Sequence, residues 1–189
     1  GMYVLGATHS QGDSDGDIWI LEIDEEGIIL DTLLVSLPGK QIGYSFAKSL
    51  DEGFAIVGET SGSLGERDLI IIKLSGSGDI LWLFQYGGIY NDIGYSIINS
   101  DGDWVVVGQT YSYGEGEADA WFIKVSDYGD IIWLKTYGGK NNDVAYDINL
   151  AQDGGFIICG NTVNIENKQF GWVLKTDSKG NYREILPFP

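Results

Sequence analysis

The feature that most constrains this chain is a sequence pattern that returns every 51 residues. Residues 69–88 read LIIIKLSGSGDILWLFQYGG, and residues 121–139 read WFIKVSDYGDIIWLKTYGG. Glycines recur at the same interval at Gly27, Gly78, Gly129 and Gly180. A fixed period of this length is typical of a repeat architecture, in which copies of one supersecondary unit stack side by side. We therefore expect the 189 residues to form a single repeat domain, with copies at about residues 1–36, 37–87, 88–138 and 139–189.

Each copy contains short segments rich in β-branched and aromatic residues, separated by Gly, Asp and Ser. Such segments are typical of strands, and no stretch has the periodicity of a helix. We letter the strands A to D from the inside of a blade outwards. The expected strands are A at 42–47, 93–98 and 144–149; B at 3–6, 55–58, 105–108 and 157–160; C at 18–23, 69–74, 120–125 and 171–176; D at 28–34, 80–85, 131–136 and 182–186. Four antiparallel strands per copy, joined by short turns, predict an all-β fold built from propeller blades.

The strand count is uneven, because strands B, C and D occur four times and strand A three times. The sequence therefore predicts a β-propeller-like fold of about four blades, whose first blade lacks its inner strand. Three arrangements stay open: a small four-bladed ring with an incomplete blade, a segment of a longer propeller, and a ring completed by two chains. An unpaired strand edge invites pairing, so self-association through that edge is one expectation, although a net charge of −17 opposes it at low salt.

The stretches 77–86 and 127–137 share the pattern G-x-I-x-W and resemble the tryptophan-docking repeat of quinoprotein-type (PQQ-like) propellers. The whole repeat, with its YGG, GYS and DGG elements, is more similar to the tandem β-propeller repeats of bacterial and archaeal surface and secreted proteins. That resemblance implies a propeller fold and an extracellular or cell-surface location. Trp82 and Trp133 carry the docking position, whereas the end copies have Asp31 and Glu184 there. Cys159 has no second cysteine beside it, so quinone chemistry is not supported.

The charge balance excludes some partners. With 11 Lys and Arg against 28 Asp and Glu, the chain repels phosphate backbones, so we expect no nucleic-acid partner. No apolar run approaches the ~20 residues that a membrane span needs, and no signal peptide is expected within the chain.

The most metal-like segment is GDSDGD, in which Asp13, Asp15 and Asp17 alternate as oxygen ligands do in calcium loops. Asp17 recurs as Asp68 and Asp119, which favours hydrogen bonding to turn amides over a calcium site.

Ligand sites on propellers tend to form where loops gather near the central channel. We therefore predict a ligand site in the AB and DA connections, formed by Tyr90, Asn91, Asp92, Asn142 and Asp143. Loop tyrosines beside carboxylates and amides can form a platform on which sugars stack, but the β-propensity of tyrosine favours the alternative that they cover sheet edges and fill gaps between blades. The other loop tyrosines are Tyr111, Tyr113 and Tyr128.

Two classes of function remain. The first is a non-catalytic scaffold or binding module that recognises protein or carbohydrate, and the second is a carbohydrate-active hydrolase or lyase that uses surface carboxylates. Departures from the repeat lie at the chain ends and in the BC loops rather than in one acidic cluster, which favours the module. We expect His9 to lie in a surface loop and Cys159 to pack in the core. We also expect Lys73 to point outward as a charge on strand C.

Overall fold

The four copies fold as four antiparallel sheets, which we call blades 1 to 4. The computed structural model describes residues 2–9, 16–61 and 67–187. Blade 1 contains β1 (Met2–Thr8), β2 (Asp17–Ile23) and β3 (Ile29–Val35); blade 2 contains β4 (Gln41–Lys48), β5 (Phe54–Thr60), β6 (Asp68–Leu74) and β7 (Ile80–Tyr86); blade 3 contains β8 (Asp92–Ser100), β9 (Asp103–Thr110), β10 (Asp119–Val125) and β11 (Ile131–Tyr137); blade 4 contains β12 (Asp143–Leu150), β13 (Phe156–Val163), β14 (Gln169–Thr176) and β15 (Tyr182–Pro187). The predicted all-β, propeller-like fold is thus confirmed, including a first blade without strand A.

The blades follow one another around a shared centre. The inner strands β4, β8 and β12 contact each other in sequence, and β1 contacts β4. The four sheets stay separate and do not close into a complete ring. Within the described ranges there is no helix with the length and apolar character needed to cross a membrane.

The core lies between the blades rather than inside any one of them. Each strand alternates its side chains between two faces, so a blade offers one apolar face to the preceding blade and the other to the following blade. Between blades 2 and 3, for example, Val57 and Ile71 pack against Trp104 and Ile123. Equivalent clusters fill the other two junctions. Stability therefore depends on neighbouring blades, as expected for a repeat protein.

The outer strands of blades 2 and 3 each dock onto the turn between strands C and D of the next blade. Trp82 Nε1 donates to the carbonyl oxygen of Asp127 at 2.8 Å, and the hydroxyl of Tyr86 donates to the carbonyl oxygen of Gly129 at 2.7 Å. The hydroxyl of Tyr137 donates to the carbonyl oxygen of Gly180 in the same way at the next junction. The turn glycines have positive φ, at 85° for Gly129 and 72° for Gly180, as one reused turn requires.

A β-bulge places a tyrosine at the same position of each inner strand. The pairing of strands A and B shifts around Tyr44, Tyr95 and Tyr146, which have no opposite residue in the register. The three rings form a row across the blades, with 5.5 Å between successive ring centroids. Bulges bend a strand and redirect one side chain, which here aligns the tyrosines on the inner strands.

Two expectations from the sequence are wrong. Lys73 does not point into solvent, because its side chain is 1% exposed and its Nζ lies 3.0 Å from Asp51 Oδ1 and 3.6 Å from Asp127 Oδ1. Cys159 is exposed rather than packed in a core. Its equivalents Val57 and Val107 are fully buried by the blade that follows them, and blade 4 has no following blade among the described strands.

Candidate functional site

The antiparallel order of the strands sorts the connections between two ends of the blades. Asp92 begins a strand A and lies opposite Thr110, which ends a strand B, so the DA loops meet the BC loops. The AB and CD turns lie at the other end. The expectation that AB and DA connections share a site is therefore wrong, and the DA loops find their neighbours among the BC loops instead.

A cleft of about 610 Å³ opens at the end where DA and BC loops meet. We call it the loop cleft, and its lining residues are Ile89, Tyr90, Asn91, Tyr111, Gly116 and Glu117. The side chains of Ile89, Tyr90 and Tyr111 are all exposed. Two of the five predicted ligand residues, Tyr90 and Asn91, thus lie in one cleft with an aromatic and a carboxylate side chain.

Amide groups beside the loop cleft have unused hydrogen-bonding capacity. The Nδ2 of Asn142 donates to Glu117 Oε2 at 3.2 Å, which places Asn142 next to the cleft. The Oδ1 atoms of Asn91 and Asn142 are buried and have no hydrogen-bond partner within the described part of the chain. A buried acceptor without a donor costs free energy, and both oxygens are closed off from solvent, so a ligand hydroxyl would reach either one only after the amide turns outward.

Asp92 fastens loops together rather than facing the cleft. Its buried carboxylate accepts hydrogen bonds from Ser112 Oγ at 2.7 Å and from the backbone N–H of Gly88 at 2.9 Å. It also accepts a hydrogen bond from Thr110 Oγ1. These donors tie the DA loop to the BC loop, and they use the lone pairs that a ligand would need.

Carboxylates from two strands converge at each of the last two junctions. A Cβ built on Gly138 would lie 2.2 Å from Asp119 Oδ1 and 2.7 Å from Asp143 Oδ2. A Cβ on Gly87 would meet Asp68 and Asp92 in the same way. Burial, and to a lesser degree the charge of Asp143, raises the pKa of Asp119 above its usual value. The recurrence of this pair at successive junctions indicates a structural arrangement, since a catalytic pair needs to occur once.

Asp143 lines a second cleft, of about 500 Å³, between blades 3 and 4. Its other polar and aromatic lining residues include Tyr137, Thr162, Trp172 and Tyr182. In blade 3 the ring of Tyr113 covers Trp121, with 5.6 Å between the ring centroids. Blade 4 has a tighter BC turn, closed by a bond from the Asn167 N–H to the Asn164 carbonyl, so the equivalent Trp172 stays half-buried beside the cleft.

The calcium prediction falls mostly outside the described residues, because Asp13 and Asp15 lie there. Asp17 is buried at the start of β2, like Asp68 and Asp119 at the starts of β6 and β10. No group of three His, Cys, Asp or Glu side chains in residues 2–9, 16–61 and 67–187 is arranged to hold a metal ion. Calcium binding by the GDSDGD segment stays a prediction, which calorimetric titration with calcium would test.

Sequence reasoning missed Ile89 and Glu117 as members of the loop cleft. A signal was available for both. Ile89 precedes Tyr90 where the next copy has Lys140, and Glu117 lies in a BC loop that is longer than its counterpart in blade 4. Apolar and acidic residues that depart from an otherwise strict repeat are candidates for contact with a ligand.

The chain matches no protein-family model and no curated protein. Similar solved structures include a protein of unknown function from Bacteroides caccae, at 11% identity and a TM-score of 0.58 over 99% of this chain and 58% of that one. A subtype N10 neuraminidase-like protein of A/little yellow-shouldered bat/Guatemala is 15% identical, with a TM-score of 0.58 over 98% of this chain and 54% of that one. A Synechocystis apocarotenoid oxygenase is 10% identical, with a TM-score of 0.56 over 98% and 46%. The chain spans about half the length of these structures, and the likeness concerns the fold alone.

Proposed function

We propose that this protein is a non-catalytic, propeller-like binding module whose loop cleft recognises a neutral carbohydrate chain. The observation that carries the proposal is the pairing of exposed Tyr90 and Tyr111 in one cleft, beside the amide of Asn91 and the carboxylate of Glu117. Aromatic rings offer an apolar face to the C–H groups of a sugar ring, and amide oxygens accept its hydroxyl hydrogens. The surface or secreted type of repeat, and an extracellular location, belong to the same proposal and are supported by the sequence resemblance.

The charge and size of the cleft favour this ligand class. A formal net charge of −17 repels anionic ligands, so a neutral polyhydroxylated chain suits the protein better than a phosphorylated or sulfated one. A cleft of about 610 Å³ is in the range of small-molecule sites rather than of protein interfaces, which are broader and flatter.

The alternative function, a hydrolase or lyase, has less support from the same cleft. Glycoside cleavage ordinarily needs two carboxyl groups on opposite sides of the scissile bond. Glu117 is the one carboxylate among the described residues that line the cleft, and the buried Asp92 already accepts hydrogen bonds from three donors. Among the described lining residues, no second carboxylate is therefore in position for proton transfer.

A glycan array followed by isothermal titration of the best oligosaccharide tests the proposal. We expect Tyr90→Ala and Tyr111→Ala each to weaken binding about tenfold, since stacking of one ring contributes about 1–1.5 kcal/mol. The matched control is Tyr128→Ala, which removes an exposed tyrosine from a CD turn at the other end of blade 3 and should bind like the wild type.

Two outcomes would contradict the proposal. One is the absence of binding to any neutral glycan, and the other is an equal loss in the Tyr90→Ala and Tyr128→Ala variants. Chromatography of the titrated oligosaccharide distinguishes the two function classes, because release of shorter products that stops in Glu117→Gln would support the hydrolase.

A further inference from the structure

The inner edge of blade 1 is unpaired where the other blades have a fourth strand. Strand β1 pairs with β2 on one side, and none of the described strands pairs with it on the other. In blades 2, 3 and 4 the equivalent strands β5, β9 and β13 each pair with an inner strand. The backbone N–H and C=O groups along one edge of β1 are therefore available for a ladder.

A glycine marks the place where an inner strand crosses in every blade. A Cβ built on Gly58, Gly108 or Gly160 would lie 1.8–1.9 Å from a carbonyl oxygen of the paired inner strand, so a larger residue cannot occupy these positions. Gly6 is the equivalent residue in β1, and a Cβ there would meet nothing within 4 Å. No contact in the described fold requires glycine at position 6. Glycine is nevertheless the residue that would allow an inner strand to pair closely with β1 there.

The face of blade 1 that turns away from blade 2 is also uncovered. Val4 is 44% exposed, whereas its equivalents Ile56, Val106 and Ile158 are buried. The turn glycine Gly27 has open space around it, whereas Gly78 and Gly129 are each contacted by a side chain of the preceding blade. Val4 and Gly27 thus lie uncovered, whereas their equivalents in the later blades are covered by the preceding blade.

We infer that β1 is an acceptor for an extended peptide with the pattern of the chain's own inner strands. The ligand class is a polypeptide segment of about eight residues in which an apolar residue, Gly or Ala, and Tyr occur in succession, as in residues 41–48 (QIGYSFAK) and 92–99 (DIGYSIIN). By the register of blade 2, in which Gly43 lies opposite Gly58, the glycine of the peptide lies opposite Gly6. The peptide then spans β1 from Met2 to Thr8 and carries its tyrosine on a bulge, in line with Tyr44. This mode is β-strand addition, in which backbone bonds give affinity and side-chain pockets give specificity.

The partner is a separate segment rather than a second folded copy. All three inner strands, β4, β8 and β12, are paired within their own blades, so a folded copy has none to donate.

Fluorescence anisotropy with a labelled peptide of sequence 92–99 gives the affinity, and hydrogen exchange locates the peptide. We expect slower exchange in β1 on binding, with the other edge strands unchanged. This site and the loop cleft are independent, so failure of carbohydrate binding leaves the inference intact.

The decisive variant is Gly6→Val. Because a Cβ at this position has open space and φ is not in the left-handed region, the variant should fold and melt like the wild type, yet it should weaken peptide binding at least tenfold. The matched control is Gly171→Val in β14, where an added Cβ would make an ordinary contact with the Gly160 carbonyl oxygen at 3.9 Å, and this variant should leave binding unchanged. A peptide with Ile98→Pro, which lacks one ladder N–H, should also bind at least tenfold more weakly.

Three results would overturn the inference. The wild type does not bind the peptide; or Gly6→Val binds it as well as the wild type; or light scattering shows a dimer that Gly6→Val dissociates and the peptide does not displace. The last result would assign the edge of β1 to a second copy instead.

Discussion

The burial of Lys73 predicts unequal losses of folding stability when the lysine or its acidic partners are replaced. Its ammonium group is buried, it contacts Ser49 Oγ, and it lies 5.2 Å from the ring centroid of Trp104. Its two acidic partners are nevertheless half-exposed, with 54% of the Asp51 side chain and 44% of the Asp127 side chain accessible. The cation is thus desolvated and the anions are not, so the two sides of this ion pair should respond differently to mutation.

The asymmetry sets the expected magnitudes. Lys73→Met keeps the buried aliphatic stem and leaves two carboxylates that water can reach, so we expect a loss of about 1 kcal/mol or less. The double variant Asp51→Asn with Asp127→Asn leaves a buried ammonium without a counter-charge, which costs about 3–5 kcal/mol in proteins. We expect a loss of stability of about 3 kcal/mol, because the asparagine oxygens and Ser49 can still accept hydrogen bonds.

Urea unfolding at pH 7 measures both free energies of unfolding. Acid titration adds a second test, since hydrogen bonds from Ser49 and then Lys73 lower the pKa of Asp51 to about 2. A lowered pKa in the folded state means that the stabilisation is present above the ordinary value of 3.8 and is lost as pH falls towards 2. Lys73→Met should flatten this acid limb. A larger loss of stability in Lys73→Met than in the double asparagine variant would refute the reasoning.

Three further predictions concern the blade junctions. Asp119→Asn should raise the free energy of unfolding at pH 7, because burial raises the pKa of Asp119 and the charged carboxylate therefore destabilises the fold. Wild-type stability then falls as pH rises past 3.8, so the difference between variant and wild type should vanish in acid when unfolding is followed across pH. Trp82→Phe removes the donor to the Asp127 carbonyl and should cost about 1–2 kcal/mol in urea unfolding, with no cost indicating that the docking bond is dispensable. Gly108→Ala places a Cβ 1.9 Å from the Ile93 carbonyl oxygen and should cost about 3 kcal/mol or more, and a thermal melt like that of the wild type would contradict the close approach.

Strand positions could be predicted from the sequence because local and periodic signals agree. Asp-Gly turns, β-branched segments and the 51-residue interval all point to the same strands, and the positive φ of Gly27, Gly78, Gly129 and Gly180 follows from the repeated turn. The environment of Lys73 could not be predicted in this way. Its burial depends on Asp127 from the next blade, and a contact between residues 54 positions apart leaves no local pattern.

The positions of the candidate residues along the chain were predicted, but their directions were not, for a related reason. Tyr90 and Asn91 could be recognised as loop residues near the channel, and both line the loop cleft. Asp92 and Asp143 were grouped with them because all are polar neighbours in the chain. The structure separates them, since strand-initial aspartates point back into hydrogen bonds with glycine N–H groups of the DA loop. Sequence gives the position of a side chain along the chain, whereas its direction depends on which loop groups need an acceptor.

The repeat itself separates structural residues from candidates for function. Positions that carry the same chemistry in successive copies, such as Asp92 and Asp143, each accept a hydrogen bond from a glycine N–H of the DA loop and are accounted for by folding. Positions that change between copies have no such explanation: Tyr90 is replaced by Asn141 and Gly39 in the neighbouring copies. Because blades built from one pattern impose equal packing demands, an exposed aromatic side chain that occurs in one copy is not required by the fold. The exposed rings of Tyr90 and Tyr111 in the loop cleft are of this kind, so they are the positions at which the proposed carbohydrate binding is tested.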